Sequence, residues 1–392
     1  MKIIIIGSGF TGATLPLANR LANMGHDVKF YNFVQWRKKS IESIDFESSP
    51  HFPSGRPVKL PKSNKLYSYL NKSVDFYLLP CWNRKRRMEK LLIGKVLPWL
   101  NKRLTKKYIN IILSENADII NLIVHTEREM LIADALNKVN AIFCISYHEV
   151  LQGLVGDKQL KTVVEETVRY DVPIIIHSHK TASDLINKLG DKNISKRINV
   201  INFGAFESFL SYGEGRVPDS ISEKYLLYLG HIHPYKGLKY LYEAVQIMGD
   251  KLGGLKIVVA GGGYDPIVKL MRKNDHFIVY NHFIDNAEVV GLIRHCQAII
   301  CPYVAASQSG LVQISMVFEK PVIATKVGAF EEIIHDGENG YLCEPSNAKS
   351  LANTLLKFIE NMPTSYKNNI PENLNWDNIS RQYVEVFNKM SI

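Results

Sequence analysis

At 392 residues the chain is too long for one ordinary core and suits two domains of roughly 200 residues each. A composition of 46% hydrophobic and 22% charged residues is that of a globular protein; no apolar run reaches the ~18–20 residues that span a bilayer, and five scattered cysteines without a Cys-x-x-Cys pair argue against a disulfide framework or a zinc site. The net charge of +10 is local: Arg37 to Lys107 holds eighteen Lys/Arg against five Asp/Glu, a net +13 that leaves the rest of the chain at −3, and so points to an anionic partner for that stretch.

The N-terminus MKIIIIGSG reads as a strand, Lys2–Ile6, and a glycine turn. A secretory signal would need a longer apolar region and a small-residue cleavage site, so the chain is read as cytoplasmic. Apolar residues at helical spacing predict a helix over Thr14–Met24, stopped by Gly25, and Asp27–Tyr31 predicts the next strand. Gly7, Gly9 and Gly12 therefore match G-x-G-x-x-G between a strand and a helix, the setting of a dinucleotide fingerprint. That fingerprint also wants an acid at the end of the second strand to hold the ribose hydroxyls, and Phe30-Tyr31-Asn32-Phe33 supplies none. An NAD(P)-dependent oxidoreductase is thus an alternative reading. The turn also reads as a tight strand–helix connection, or as bare backbone that lets a substrate come close.

The basic stretch follows. Phe76–Trp82 is an apolar, aromatic patch, and Arg84, Lys85, Arg86 and Arg87 come directly after it. Leu92, Val96, Leu100, Leu104 and Tyr108 then recur four apart beside Trp99, with Lys95, Lys102, Arg103, Lys106 and Lys107 on other faces. A basic amphipathic helix with aromatics predicts contact with an anionic membrane, at about 1 kcal/mol per basic residue near the surface. The alternative is a helix with its apolar face in the domain core, and Pro98 is placed to break it. Trp82, Arg84, Lys85, Arg86, Arg87 and Trp99 are the expected membrane or acceptor contacts, which puts the protein peripherally at the inner face of the cell membrane. No nucleic-acid-reading module accompanies the charge, so nucleic acid is not expected.

Strand-like runs at Ile119–Val124, Ala141–Ser146, Pro173–His177 and Asn199–Asn202, separated by helical patterns, predict a parallel sheet covered by helices. The C-terminal edge of such a sheet carries ligand sites. That singles out His148 as an active-site residue, with His125 behind it. His177 and His179 could begin a metal site, but no third ligand follows, and Ser178 between them reads as a helix cap. Residues 207–223, rich in Ser, Gly, Glu and Pro, predict a linker. The chain then divides into an N-terminal domain over 1–206 and a C-terminal domain over 224–374, with the final helix, within 375–392, packing back on the first. The fold class is α/β, two Rossmann-like doubly wound domains facing a central cleft.

The second half is the more specific. Strand YLLYLG leads into His231-Ile-His-Pro-Tyr-Lys236-Gly237 and a helix; strand LKIVVAG leads into Gly261-Gly262-Gly263; then come Ala298-Ile-Ile-Cys-Pro-Tyr-Val-Ala-Ala-Ser-Gln-Ser-Gly-Leu-Val and EKPVIATKVGAFEEIIHDGENGYLCEP. Over about 224–362 this resembles the retaining family-4 glycosyltransferases of GT-B fold, whose lines read G-R-x-x-x-x-K-G, P-S-x-x-E-G-F-G and G-K-P-V-I-A-T-x-x-G-G-x-x-E. The likeness is to the subgroup with an S-Q-S-G loop in place of the paired glutamates. The resemblance implies transfer of a sugar from UDP or GDP to an acceptor, with retention, the acceptor being a saccharide or a lipid-linked precursor of cell-surface polysaccharide. It implies no cofactor beyond the nucleotide sugar, which is a substrate. A non-catalytic GT-B-like binding subunit is a further alternative.

Residue by residue, the resemblance implies that His231, Lys236, Ser309, Gly310 and Leu311 hold the donor diphosphate, His231 standing where the family has arginine. Physical chemistry agrees with the rest of this set. A leaving diphosphate must be neutralised, the chain has no Asp-x-Asp to carry a metal, and a cation beside a glycine-opened helix N-terminus does the same work. Ser307, Gln308, Ser315 and Glu332 are implied at the donor sugar or ribose; Ser307 and Ser315 replace the two glutamates, and Glu332 also reads as a helix-start acid. His282, Phe283 and Ile284 are implied at the nucleobase. His148 matches the family histidine that touches the donor sugar, and with Lys236 it is the expected catalytic pair. No metal is expected.

Overall fold

Four consecutive isoleucines need apolar surroundings on both faces of a strand, and Ile3–Ile6 have them: each is fully buried at the centre of a mainly parallel sheet. The structure, a computed structural model, describes residues 1–8, 11–36, 48–49, 53–62, 65–82, 96–124, 126–148, 158–219, 221, 223–306, 309–362 and 370–391. It divides into two units, Met1–Gly204 with Asn373–Ile392, and Ala205–Glu372. Among the described residues no helix is long and apolar enough to cross a membrane.

In chain order the first unit contains β1 (Lys2–Ser8), α1 (Thr11–Asn23), β2 (Asp27–Trp36), the short β3 (Ser48–Ser49) and β4 (Val58–Lys59), β5 (Val74–Trp82), α2 (Val96–Ser114), β6 (Ile119–Ile123), α3 (Glu127–Lys138), β7 (Phe143–Tyr147), α4 (Lys158–Thr167), β8 (Ile174–Ile176), α5 (His179–Leu189) and β9 (Ile198–Val200). The strands lie in the order β4-β5-β2-β1-β6-β7-β8-β9, with β3 on β2; β4 alone of these is antiparallel to its neighbour.

Phe76–Trp82 is not a surface patch. It is the body of β5, in parallel register with β2 from Val28↔Val74 to Trp36↔Trp82. Aromatic pairs across the ladder explain its composition: Phe30 stacks on Phe76 with centroids 4.5 Å apart, and Tyr31 on Tyr77 at 5.4 Å. Trp82 ends this strand, half-buried against the core, and both of its backbone polar groups bond the Asn101 side chain. The apolar stripe of α2 also turns inward. Leu104, Tyr108, Ile109 and Ile112 are buried, and the Tyr108 hydroxyl donates to the Pro80 carbonyl at 2.7 Å. The core takes that stripe because sheet and helix each have one apolar face to cover. What remains outside is Trp99, 56% exposed, with the Arg103 guanidinium 5.6 Å from its ring, and the exposed Lys102, Lys106 and Lys107. Arg84, Lys85, Arg86 and Arg87 lie outside the described residues.

The second unit contains β10 (Tyr225–Leu229), α6 (Leu238–Met248), β11 (Lys256–Ala260), α7 (Val268–Met271), β12 (Phe277–Tyr280), α8 (Asn286–His295), β13 (Ala298–Cys301), α9 (Gly310–Val317), β14 (Val322–Thr325), α10 (Phe330–Ile333), β15 (Gly340–Cys343) and α11 (Ala348–Glu360). Its parallel strands run β12-β11-β10-β13-β14-β15. Residues 207–223 are part of this unit, where composition had predicted a linker. Ser208 and Tyr212 are buried, Arg216 N–H donates to the Ala287 carbonyl at 2.8 Å, and the Arg216 guanidinium meets Asp285 at 2.6 Å. Gly215, at φ +71°, turns the chain against α8, where a Cβ on it would lie 2.2 Å from Gly291 N.

After this unit the chain returns to the first as α12 (Trp376–Met390), which buries Trp376, Ile379, Tyr383 and Phe387. Arg20 of α1 holds Asp377 at 2.8 Å.

Candidate functional site

The C-terminal ends of β10, β11, β12 and β13 stand side by side, and the loops that leave them converge. The loop after β10 is anchored by Ile232, fully buried, whose N–H donates to the Gly262 carbonyl at 2.9 Å. A Cβ on Gly261, at φ +150°, would lie 1.8 Å from the Gly230 carbonyl oxygen, so the two loops run backbone to backbone. Pro234–Lys236 form one 3₁₀ turn, with His233 Nδ1 accepting from Tyr235 N–H at 3.4 Å. Gly237 then takes φ +73°, where a Cβ would lie 1.8 Å from the Pro302 carbonyl oxygen. This seats the turn directly on the end of β13.

That seating fixes Lys236. Its Nζ lies 3.7 Å from the centroid of the Tyr303 ring and 5.1 Å from that of Tyr235. Tyr303 is buried, and burial drives its phenol pKa well above the ordinary range, so the ring stays neutral under the ammonium. Its carbonyl accepts from the Thr325 hydroxyl at 2.6 Å, and its hydroxyl lies 3.4 Å from Ser309 Oγ. Ser309 occupies the N-cap position of α9 with extended backbone, yet its side chain makes no capping bond. Gly310, exposed, opens the helix beside it, and Leu311 is buried. Lys236, Tyr303 and the start of α9 thus form one connected group. A cation next to a helix N-terminus is an arrangement that binds phosphate and stabilises growing negative charge.

The other expected residues fall on either side. His231 is exposed, its carbonyl accepting from the Tyr228 hydroxyl at 2.9 Å. His282 and Phe283 are exposed, Phe283 at 67%, and Ile284 is half-buried; the His282–Phe283 backbone passes 3.5–3.6 Å from where a Cβ on Gly262 would stand. The expected base residues therefore neighbour the glycine loop. Glu332 sits half-buried in the single turn of α10. Ser315 departs from expectation: it is fully buried, and its hydroxyl donates to the Val312 carbonyl at 2.7 Å, so it is not presented to a ligand. A short side chain inside an apolar helix satisfies itself on its own backbone. Ser307, Gln308, Gly9 and His125 lie outside the described residues.

In the first unit, Gly7 ends in β1 against Ile123, and Gly12 is the second residue of α1. His148 follows β7, is buried, and packs edge-on against His177 (centroids 4.7 Å) and Phe203 (4.6 Å). His177 follows β8 in the same way; burial pushes its pKa down to about 4, opposed by its bond to the Ile201 carbonyl. Ser178 caps α5, accepting from Thr181 N–H at 3.0 Å. His179 is exposed on that helix, so His177 and His179 do not converge. Sequence reasoning missed Tyr303, though its place just after a buried strand was a signal, and it missed the pairing of His148 with His177.

The sequence pattern of the Glycosyl transferases group 1 family matches residues 223–361, which hold the whole Lys236 group. An uncharacterized glycosyltransferase of Methanocaldococcus jannaschii is 30% identical over 181 residues, 44% of this chain and 46% of that one. The chain spans about half the length of the curated relatives it matches. Among solved structures, sucrose-phosphate synthase from Thermosynechococcus elongatus superimposes with a TM-score of 0.63 at 14% identity, covering 99% of both chains. HepE of Anabaena, in complex with UDP and glucose, gives 0.60 at 15%, covering 99% of this chain and 98% of that one. These likenesses are of fold, and the fold is GT-B, with two Rossmann-like units.

Proposed function

We propose that the protein is a glycosyltransferase that moves a sugar from a UDP- or GDP-sugar to an acceptor, with retention and without a metal ion. The observation that carries this is the contact of Lys236 with Tyr303 and of Tyr303 with Ser309, which sets an ammonium beside the uncapped start of α9. As the bond to the sugar breaks, charge grows on the diphosphate; Lys236 and the N–H groups of Gly310 and Leu311 neutralise it. His148 is proposed as the first unit's contact to the sugar. The family pattern over 223–361 supports the reaction class, and the UDP in the HepE structure makes UDP the first donor to test.

The acceptor is proposed to be lipid-linked or otherwise held at a membrane, as for a cell-surface polysaccharide precursor. Support comes from the outer face of α2, where Trp99, Lys102, Arg103 and Lys106 fall at helical spacing and are all exposed. A second reading, a subunit that binds nucleotide sugar without turning it over, is favoured by Ser315, which turns its hydroxyl onto its own helix. Nucleotide binding without turnover on any acceptor would select it.

The test is thermal melting in the presence of UDP, GDP, ADP and their sugars, each with and without EDTA. A ligand at 100 times its dissociation constant stabilises by about 2.7 kcal/mol. A shift with a UDP or GDP compound that survives EDTA, followed by turnover in EDTA, is the expected result. No shift with any of them would sink the proposal, and turnover that needs added magnesium or manganese would sink its metal-free part.

A further inference from the structure

Three glycines in a row, Gly261-Gly262-Gly263, leave β11, and a run of this kind has more backbone freedom than any other residues would give it. Each of its carbonyls is nevertheless held. Ile232 N–H donates to the Gly262 carbonyl at 2.9 Å. The other two carbonyls face one side chain, that of Asn281, which directly follows β12. A carbonyl only accepts, so the amide nitrogen of Asn281 is the atom turned to them, 3.2 Å from the Gly261 oxygen and 3.3 Å from the Gly263 oxygen. One half-buried asparagine thus spans the loop from end to end.

This clamp dictates where the N–H groups go. The peptide bonds are trans, and across a trans peptide the C=O of one residue and the N–H of the next point in opposite directions. With the Gly261 carbonyl on Asn281, the Gly262 N–H points away from Asn281. With the Gly262 carbonyl on Ile232, the Gly263 N–H points away from Ile232. Neither of these N–H groups meets an acceptor among the described residues. On either side of them, Gly261 N–H donates to the Tyr280 carbonyl at 2.9 Å and Tyr264 N–H to the Ile232 carbonyl at 2.8 Å. Gly262 is half-buried and Gly263 exposed, and because a glycine has no side chain, the surface they show is backbone.

The neighbours of this pair define what it meets. A Cβ on Gly263 would lie 3.0 Å from His231 Cε1, and one on Gly262 3.5 Å from the His282 carbonyl carbon. The pair therefore adjoins both a residue expected at the diphosphate and a residue expected at the base. A backbone N–H only donates, so its ligand must bring an acceptor, and a nucleotide brings oxygens on phosphate, ribose and base. We propose that Asn281 is a positioning residue of the nucleotide site: it holds the carbonyls of Gly261 and Gly263, so that the N–H groups of Gly262 and Gly263 donate to an oxygen of the nucleotide. That the ligand is a nucleotide rests on the transferase reading.

The test follows the glycine amides of the full chain, deuterated and labelled with ¹⁵N-glycine, by NMR during titration with UDP and with GDP. Gly262→Ala, whose Cβ meets only ordinary contacts from 3.5 Å, deletes one resonance and so assigns it. The expected result is a saturable downfield shift of the Gly262 amide proton with the nucleotide that binds. The matching nucleoside and inorganic pyrophosphate, titrated separately, tell a base or ribose oxygen from a phosphate oxygen. Asn281→Leu keeps the size and deletes the amide. It should weaken nucleotide binding about threefold to tenfold and shrink the Gly262 shift even at saturation. Asn281→Asp, nearly isosteric, is the second variant should Asn281→Leu fail to fold, and should weaken binding at least as much. Either of two results overturns the proposal: a nucleotide that saturates wild type without moving Gly262, or a folded Asn281 variant with undiminished binding and an undiminished shift. Both leave the transferase reading standing. No binding of either nucleotide to wild type removes that reading, and this inference with it.

Discussion

Replacing Lys236 by alanine should cut turnover far more than it disturbs folding. The turn that carries Lys236 is held by backbone bonds, Lys236 N–H to the His233 carbonyl at 2.9 Å and Gly237 N–H to the Pro234 carbonyl at 3.0 Å, which survive the change. The native state loses the ring contacts at 3.7 and 5.1 Å, on a half-buried side chain. Contacts of that kind are worth about 0.5–1 kcal/mol at partly exposed sites, or a drop of roughly 1–4 °C in melting temperature for a unit of this size. The transition state loses more. A charge-stabilising donor aimed at a leaving oxyanion contributes roughly 10²–10³ in rate, about 2.7–4 kcal/mol. The assay is release of the nucleotide diphosphate from whichever donor the melting screen identifies, beside a circular-dichroism melt. Lys236→Arg keeps the charge but not the compact ammonium, and should fall between wild type and Lys236→Ala. A folded Lys236→Ala enzyme with wild-type kcat would refute the assignment, and so would a loss of rate fully matched by a loss of folded protein.

Gly237→Ala should be worse for stability than Lys236→Ala: it combines a left-handed backbone, about 1–2 kcal/mol for a residue with a Cβ, with a Cβ 1.8 Å from the Pro302 oxygen. An unchanged melting temperature would show that the turn does not sit on β13. Glu115 accepts from Lys29 at 2.6 Å, Lys2 at 3.0 Å and Tyr31 at 3.1 Å; burial alone would raise its pKa, but these bonds outweigh it and bring the group from 4.5 to about 2. A depressed carboxylate stabilises fully above its unfolded pKa and loses that contribution as pH falls through the folded one. Glu115→Gln should therefore cost about 1–2 kcal/mol at neutral pH, after allowance for solvent screening. In melts across pH the gap from wild type should close between 4.5 and about 2, and a gap independent of pH would contradict this. Wild type should co-sediment with anionic vesicles and release them as salt rises from 0.1 to 1 M, over which the screening length falls from about 10 to about 3 Å. Neutralising Lys102, Arg103 and Lys106 together should weaken this, and Trp99→Ala should weaken it with less dependence on salt; wild type left in the supernatant at low salt would exclude the membrane reading.

Much of this protein is local in origin, and that part was legible in the sequence. Runs such as Ile3–Ile6, Tyr225–Leu229 and Ala298–Cys301 are apolar without alternation, because a parallel strand covered on both faces tolerates no polar side. Lys236-Gly237 and Ser309-Gly310 are short patterns whose backbone requirements stand in the residues themselves: a left-handed glycine after the lysine, a bare helix start after the serine. From such runs the alternating architecture could be written down, and these patterns together with the family resemblance named the diphosphate-binding candidates.

What only the tertiary structure decided depends on partners far apart in the chain. Phe76–Trp82 looks the same in sequence whether it meets lipid or β2; the stacking of Phe76 on Phe30 settles it. The apolar stripe of α2 likewise could face a membrane or a core, and it faces Pro80 and the sheet. Ser315 aligns with a ligand residue, but the burial of its helix turned its hydroxyl inward. Tyr303 meets Lys236 only because Gly237 lets the loop that carries Lys236 come down on the end of β13. His177 shares the wall of one small pocket with Trp376 and Tyr383, from the last helix of the chain, about 200 residues after it in sequence. Hydrophobic periodicity reports which face of an element is covered, but not what covers it, and that is a property of the fold as a whole.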